Sequence, residues 1–209
     1  MGSRLMHLVI GNRIANRLSM EQRTDFLLGG IAPDAASEKD TTHFFKGDVE
    51  DNSRSIDYEA FLNKYNSEAH EPYVQGYYTH LVADHLWLTG FYLPWLKNRM
   101  EKKELAPLYY KDFEILNGKL LEFYGYRNEI KKTLESPATI FDLDEVNATD
   151  VQAFKTCVLP DLEYEQETLH LPLQVFTFNQ IIGYIETTVD QVTRDMGTGK
   201  LSHVTSQTW

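Results

Sequence analysis

The stretch from Pro72 to Met100 limits the possible folds of this chain more than any other. Residues 73, 77, 80, 84, 87, 91 and 95 share one face of a helix, and they are Tyr73, Tyr77, His80, Asp84, Trp87, Phe91 and Trp95. A face this aromatic must be buried, so the rest of the chain has to supply helical surface to cover it. The same face carries one His and one Asp, a turn apart. An unpaired carboxylate among aromatic rings costs several kcal/mol, so Asp84 requires a partner. His80 can be that partner, or both side chains can point at one cation. The spacing alone leaves a self-satisfied His–Asp pair and a metal site both open.

Helical spacing recurs along the chain and strand-like alternation is scarce, which predicts an all-α fold. A first helix is expected from Leu5 to Leu18, with His7, Ile10, Ile14 and Leu18 on one stripe. Ser19 followed by Gln22 is a capping-box pattern and should open a second helix ending at Gly29-Gly30. The long turn-rich segment from Ile31 to Ser55 follows, its first half expected to be ordered. A short helix is expected over Asp57–Asn66, then the long one from Pro72 towards Met100 with a kink at Pro94. Further helices fit Leu108–Tyr124, Arg127–Glu135, Thr149–Gln166 and Leu173–Met196. The segment SPATIFDLDEV can hold a short extended piece, and the tail from Thr198 is expected to fray. The 209 residues fit a single domain, 1–209.

Composition narrows the function. With 20 Lys plus Arg against 31 Asp plus Glu, the formal net charge is −11. No basic cluster interrupts it, which argues against a protein that grips a long nucleic acid through a basic face. The single cysteine, Cys157, rules out an internal disulfide framework and a Cys-rich zinc finger. Any metal must therefore be held by His and carboxylates. No stretch approaches the roughly 20 apolar residues that span a bilayer, and the N-terminal segment does not read as a signal peptide. A soluble cytoplasmic protein is the expectation.

Three further polar residues stand in apolar settings. His7 lies on the apolar stripe of the first helix, Asp34 follows Pro33 just after a helix end, and His43 precedes Phe44-Phe45. Each has an ordinary explanation as a hydrogen-bonded core residue, a turn or a cap. Together with His80 and Asp84 they make three His and two Asp, a donor set suited to zinc or another first-row metal. His85 falls one position off the stripe and is expected at its boundary.

The succession MHLVIGNRIA, GGIAPDA, KDTTHF and YVQGYYTHLVADHLW resembles the zinc-dependent phospholipase C family, whose all-helical fold is shared with single-strand-specific nucleases. The resemblance covers roughly the first 100 residues. It implies metal contacts from His7, Asp34, His43, His80 and Asp84, with Asp84 placed to bridge two ions and Asp34 also able to orient the attacking water as general base. The chain departs from the family by lacking the N-terminal Trp ligand. It also lacks a later His-x-x-x-Glu, since neither His170 nor His203 has Glu four residues on. One or two zinc ions are therefore expected rather than three.

Two metals about 3.5–4 Å apart would clamp a phosphoryl group and supply hydroxide near neutral pH. No serine elbow, Walker loop or dinucleotide fingerprint competes for the role. The expectation is a metal-dependent phosphoester hydrolase whose partner is a small-molecule or lipid phosphoester. The alternative is a non-catalytic helical domain with a structural metal or self-satisfied His–Asp pairs. Tyr73, Tyr77, Tyr78, Trp87, Phe91 and Trp95 either fill the core or line a cleft for an acyl chain or nucleobase. Lys39, Lys46 and Arg13 are candidate phosphate contacts, with solvated surface charge as the plainer reading.

Overall fold

The computed structural model describes residues 3–100 and 105–201, and the fold is all-α. Helix α1 (Arg4–Arg17) is capped by the Ser3 hydroxyl, which accepts from the Met6 amide. It is buried from Leu5 to Asn12, so it runs through the centre of the fold rather than over its surface. Helix α2 (Arg23–Gly29) lies against α5 (Pro72–Trp87), and α10 (Phe178–Gly197) packs on both α1 and α5. Helices α7 (Leu105–Tyr124), α8 (Arg127–Glu135) and α9 (Ala148–Val158) close the remaining sides. Between α2 and α5 run a 3₁₀ turn at Ala32–Asp34, α3 (Lys39–Thr42), the antiparallel pair β1 (Phe45–Lys46) and β2 (Ser55–Ile56), and α4 (Tyr58–Lys64).

Several boundaries differ from the sequence expectation, each for a local reason. Ser19 does not cap α2. Its φ is 52° and its amide bonds to the Asn16 carbonyl, so it closes α1 instead. The long helix does not continue to Met100. After Trp87 it widens into a π-helix at Leu88–Leu96, followed by α6 (Lys97–Met100). Pro94 lies inside that π segment, where its missing N–H cannot support α-helical bonding. The stripe loses phase there: Tyr73, Tyr77, His80, Asp84 and Trp87 are buried, whereas Phe91 and Trp95 are only half-buried. Helix α9 stops at Val158 rather than Gln166 because Pro160 turns the chain into a 3₁₀ segment, Leu159–Leu162.

Helix α10 starts at Phe178, not Leu173. The amides of Gln174, Val175 and Phe176 donate to the buried Asp112 carboxylate at 2.8, 2.7 and 3.1 Å, so that segment is held straight across α7. Thr177 and Gln180 then form the capping box that opens α10. Extended pairing in the 136–146 segment is confined to a bridge between Leu143 and Val146. The tail does not fray at once: Lys200 bonds back to Asp195 and Leu201 is buried, while 202–209 lie outside the described residues. Among the described residues no helix is long and apolar enough to cross a membrane.

The contact between α2 and α5 is unusually close because each helix brings a glycine to it. A Cβ on Gly29 would lie 1.9 Å from the Tyr73 carbonyl oxygen, and one on Gly76 would lie 2.0 Å from that of Phe26. Both obstacles are backbone and cannot rotate away. Gly76→Ala is therefore expected to cost about 3 kcal/mol and to lower Tm by roughly 6–12 °C. Gly183→Ala on α10, where a Cβ meets nothing within 4 Å, should stabilise by up to about 1 kcal/mol. Differential scanning calorimetry of the two variants checks both signs.

Candidate metal centre

The five sequence candidates converge from four elements. Helix α1 brings His7, the 3₁₀ turn brings Asp34, the residue closing α3 is His43, and α5 brings His80 and Asp84. His80 and Asp84 have no exposure, and His7 and His43 are almost as buried. Asp84 sits between the imidazoles. Its Oδ1 is 3.4 Å from His7 Nε2, and its Oδ2 is 3.4 Å from His43 Nε2 and 3.7 Å from His80 Nε2. Asp34 approaches from the side of His43, with Oδ1 3.6 Å from Nε2. The rings of His7 and His80 stack with centroids 3.8 Å apart.

Backbone and hydroxyl groups behind the rings fix their orientation. His80 Nδ1 lies 2.8 Å from the Gly30 carbonyl oxygen, which only accepts, so Nδ1 carries a proton. The Thr42 hydroxyl is 2.9 Å from His43 Nδ1. The Nε2 atoms of His80 and His43 face each other at 3.2 Å. Ring nitrogens and carboxylate oxygens thus converge at ligand distance from one another. Both ring nitrogens of His7 are buried, and among the described residues the Asp84 carboxylate, 3.4 Å from Nε2, is what faces them. An arrangement of this kind is satisfied by a cation.

The titration behaviour fits the same picture. Burial, reinforced by the neighbouring His80, pushes His7 down to about 4 and His43 down to about 3. Both rings are neutral at pH 7, the form that donates a lone pair to a metal. Burial works against ionisation of Asp34 and Asp84, but nearby positive charge, together with hydrogen bonds from His7 and His80 to Asp84, outweighs it and holds both carboxyls below the usual carboxylate range. Two trios have ligand atoms within 4.8 Å of one another, His7–Asp34–His80 and His43–His80–Asp84. The group can hold a metal ion, with nitrogen and oxygen donors and no sulfur; Cys157 is exposed on α9.

The cluster has one wet side. The Asp34 side chain is 19% exposed, and it forms part of the wall of a cavity of about 840 Å³. Arg4 and Lys39 flank that cavity, and Tyr92, Tyr109, Tyr110 and Phe154 line it. Lys39 Nζ donates to the Asp34 backbone oxygen at 2.8 Å and to Oδ1 at 3.1 Å, while Arg4 forks onto Asp161. No protein-family model, curated protein or solved structure matches the chain.

Sequence reasoning missed the supporting parts. The Gly30 carbonyl carries no side-chain signal, and the second half of the chain, unassigned at first, contributes Tyr109, Phe154 and Asp161 to the cavity wall. The aromatics of the α5 stripe serve differently than a cleft would require: Tyr73, Tyr77, Tyr78 and Trp87 are core. His85 faces away from the cluster's partners and meets the Tyr58 ring edge-on at 5.3 Å. Of the other cations considered, Lys46 pairs with Asp57 and Arg13 with Glu186.

These shifts set the acid stability of the metal-free chain. The folded state takes up protons at His7 and His43 only near pH 4 and 3, whereas an unfolded histidine does so near 6.5. Protons therefore favour unfolding as the pH falls from about 6.5 to 4, at about 1.4 kcal/mol per pH unit for each fully titrating histidine. His7→Phe should flatten the slope of unfolding free energy against pH by about one proton. Urea titrations at a series of pH values measure it, and an unchanged slope would contradict the assignment.

Proposed function

We propose that this protein is a metal-dependent phosphoester hydrolase that uses one or two zinc ions and acts on a small-molecule or lipid phosphoester. The observation that carries the reading is the buried His/Asp cluster, able to hold a metal ion, meeting a cation-flanked cavity at Asp34. The ordered set of His7, Pro33-Asp34, His43-Phe44 and His80-x-x-x-Asp84, which resembles the zinc-dependent phospholipase C family, supports the same chemistry. Divalent ions bound there would polarise the phosphoryl oxygens and lower the pKa of water.

The chain's own residues divide the work. His80 and His43 are oriented by Gly30 and Thr42, so their rings would already be held in position for a metal. Asp84, enclosed by three imidazoles, would supply a carboxylate to the His43–His80–Asp84 trio, with His80 common to both trios. Asp34 alone of the five reaches both the cluster and the cavity, which suits it to accept the proton of an attacking water. Lys39 and Arg4 stand where a phosphoryl anion would enter. The aromatic wall holds the organic part of the substrate and thins the water around the reacting group.

A structural metal is the second reading, and the near-complete burial of His43, His80 and Asp84 favours it, because structural sites are closed. Asp34→Ala separates the two. Under the hydrolase reading kcat falls by roughly 10²–10⁴ while fold and most of the metal are retained; under the structural reading metal and fold are lost together. Phosphodiester, phosphatidyl and single-stranded nucleic-acid substrates should be assayed side by side on zinc-loaded protein, with metal content measured by mass spectrometry. Asp84→Asn is expected to abolish metal loading. Wild-type protein that takes up no zinc and shows no activity on added metal would overturn the proposal.

A further inference from the structure

A second cavity, of about 600 Å³, opens between the C-terminal half of α7 and the segment that Asp112 holds straight. Its walls are Leu173, Phe176 and Phe178, with Phe123 and Leu171 at the rim and Lys119 among them. Phe123 is 58% exposed and Leu171 42%, a concentration of large apolar side chains in water that single scattered residues do not produce. The cavity's size lies within the range of small-molecule sites, which are mainly apolar with a few placed polar groups.

Lys119 decides the chemistry of the occupant. It is half-buried, its ammonium donates to the Leu169 carbonyl, and among the described residues no carboxylate pairs with it. That is notable in a chain with a net charge of −11. The acidic residue on the same wall, Glu122, is already engaged by the Tyr164 hydroxyl at 2.8 Å. An ammonium has three protons to give, so donors remain after the bond to Leu169. The opening is preformed: three amide bonds to Asp112 and the Lys119–Leu169 bond keep the 169–176 segment from collapsing onto α7.

We infer that this cavity binds an aliphatic monocarboxylate, its chain lying against Leu173, Phe176 and Phe178 and its head on Lys119. The alkyl chain leaves water in proportion to the apolar area it covers, and the charged head supplies orientation. The site stands apart from the His/Asp cluster and does not depend on the hydrolase reading.

Dodecanoate and dodecanol, titrated calorimetrically into metal-stripped protein below their aggregation limits, test this. Dodecanoate should bind saturably at one equivalent, and Lys119→Met should weaken it roughly tenfold or more. Dodecanol should bind wild type and Lys119→Met alike, which separates loss of the charge from loss of the fold. Leu173→Trp, which fills the cavity, should abolish binding of both. Arg4→Met, at the other cavity, should leave dodecanoate binding unchanged; its loss there would assign the carboxylate to that cavity and overturn the inference. Absence of saturable binding, or insensitivity to both cavity variants, would overturn it equally. So would concentration-dependent dimerisation abolished by Phe123→Lys without any carboxylate binding, which would make the patch a contact between two copies of the chain.

Discussion

The burial of the Asp84 carboxylate among three imidazoles is the constraint on which the rest of the structure depends. A carboxylate with no exposure is tolerable only if its surroundings favour the charge. Here three imidazoles converge on it: burial keeps His7 and His43 neutral at pH 7, and the Nε2 atoms of His43 and His80 stand 3.2 Å apart. A helical core of this size does not need such an arrangement for stability, since apolar residues of similar volume would pack more favourably. Its presence in the interior is accounted for, independently of any resemblance, by a group that could hold a metal ion.

The fold can be understood as the frame that holds this cluster still. Gly29 and Gly76 let α2 and α5 approach until backbone meets backbone, and that approach puts the Gly30 carbonyl behind His80. Tyr77, on the next turn of α5, donates to the Thr42 carbonyl at 2.7 Å, anchoring the residue whose hydroxyl meets His43 Nδ1. On the far side, Tyr184 of α10 donates to the Ala83 carbonyl next to Asp84. His80, His43 and the backbone beside Asp84 are thus fixed by neighbours that are not themselves candidates. The Asp112 tether works on a different scale, pinning the segment that carries Phe176, which packs edge-on against Trp87.

What was legible in the sequence follows from which interactions repeat with a period. The α5 stripe was readable up to Trp87 because buried side chains on an α-helix recur at fixed spacing. It ceased to be readable where Pro94 imposed a π-helical stretch with another period. The five candidate ligands stood out because polar residues in apolar settings are few, and the fold brings all five together. Boundaries set by long-range bonds were not legible: nothing near Leu173 signals that its successors donate to Asp112, over 60 residues upstream. Ser19 and Gln22 matched a capping pattern that the left-handed turn at Ser19 pre-empted, whereas the capping box actually formed, Thr177 with Gln180, lay hidden inside a stretch that already looked helical.

The acidity of the chain bears differently on the two cavities once their linings are compared. At the first, two carboxylates face the cluster, and a metal's charge would neutralise them where they stand; a phosphoryl group would then meet concentrated positive charge at contact distance, to which the diffuse −11 is a minor correction. At the second, a single half-buried ammonium lies in a low-dielectric wall, where one charge acts strongly at short range. With a metal at the first, the local field in both places would oppose the overall one. An acidic surface of this kind disfavours long polyanions, which must approach many surface charges at once, and leaves small anions free to reach a local positive site. Under these two proposals net charge would select by the size of the anion rather than by its sign.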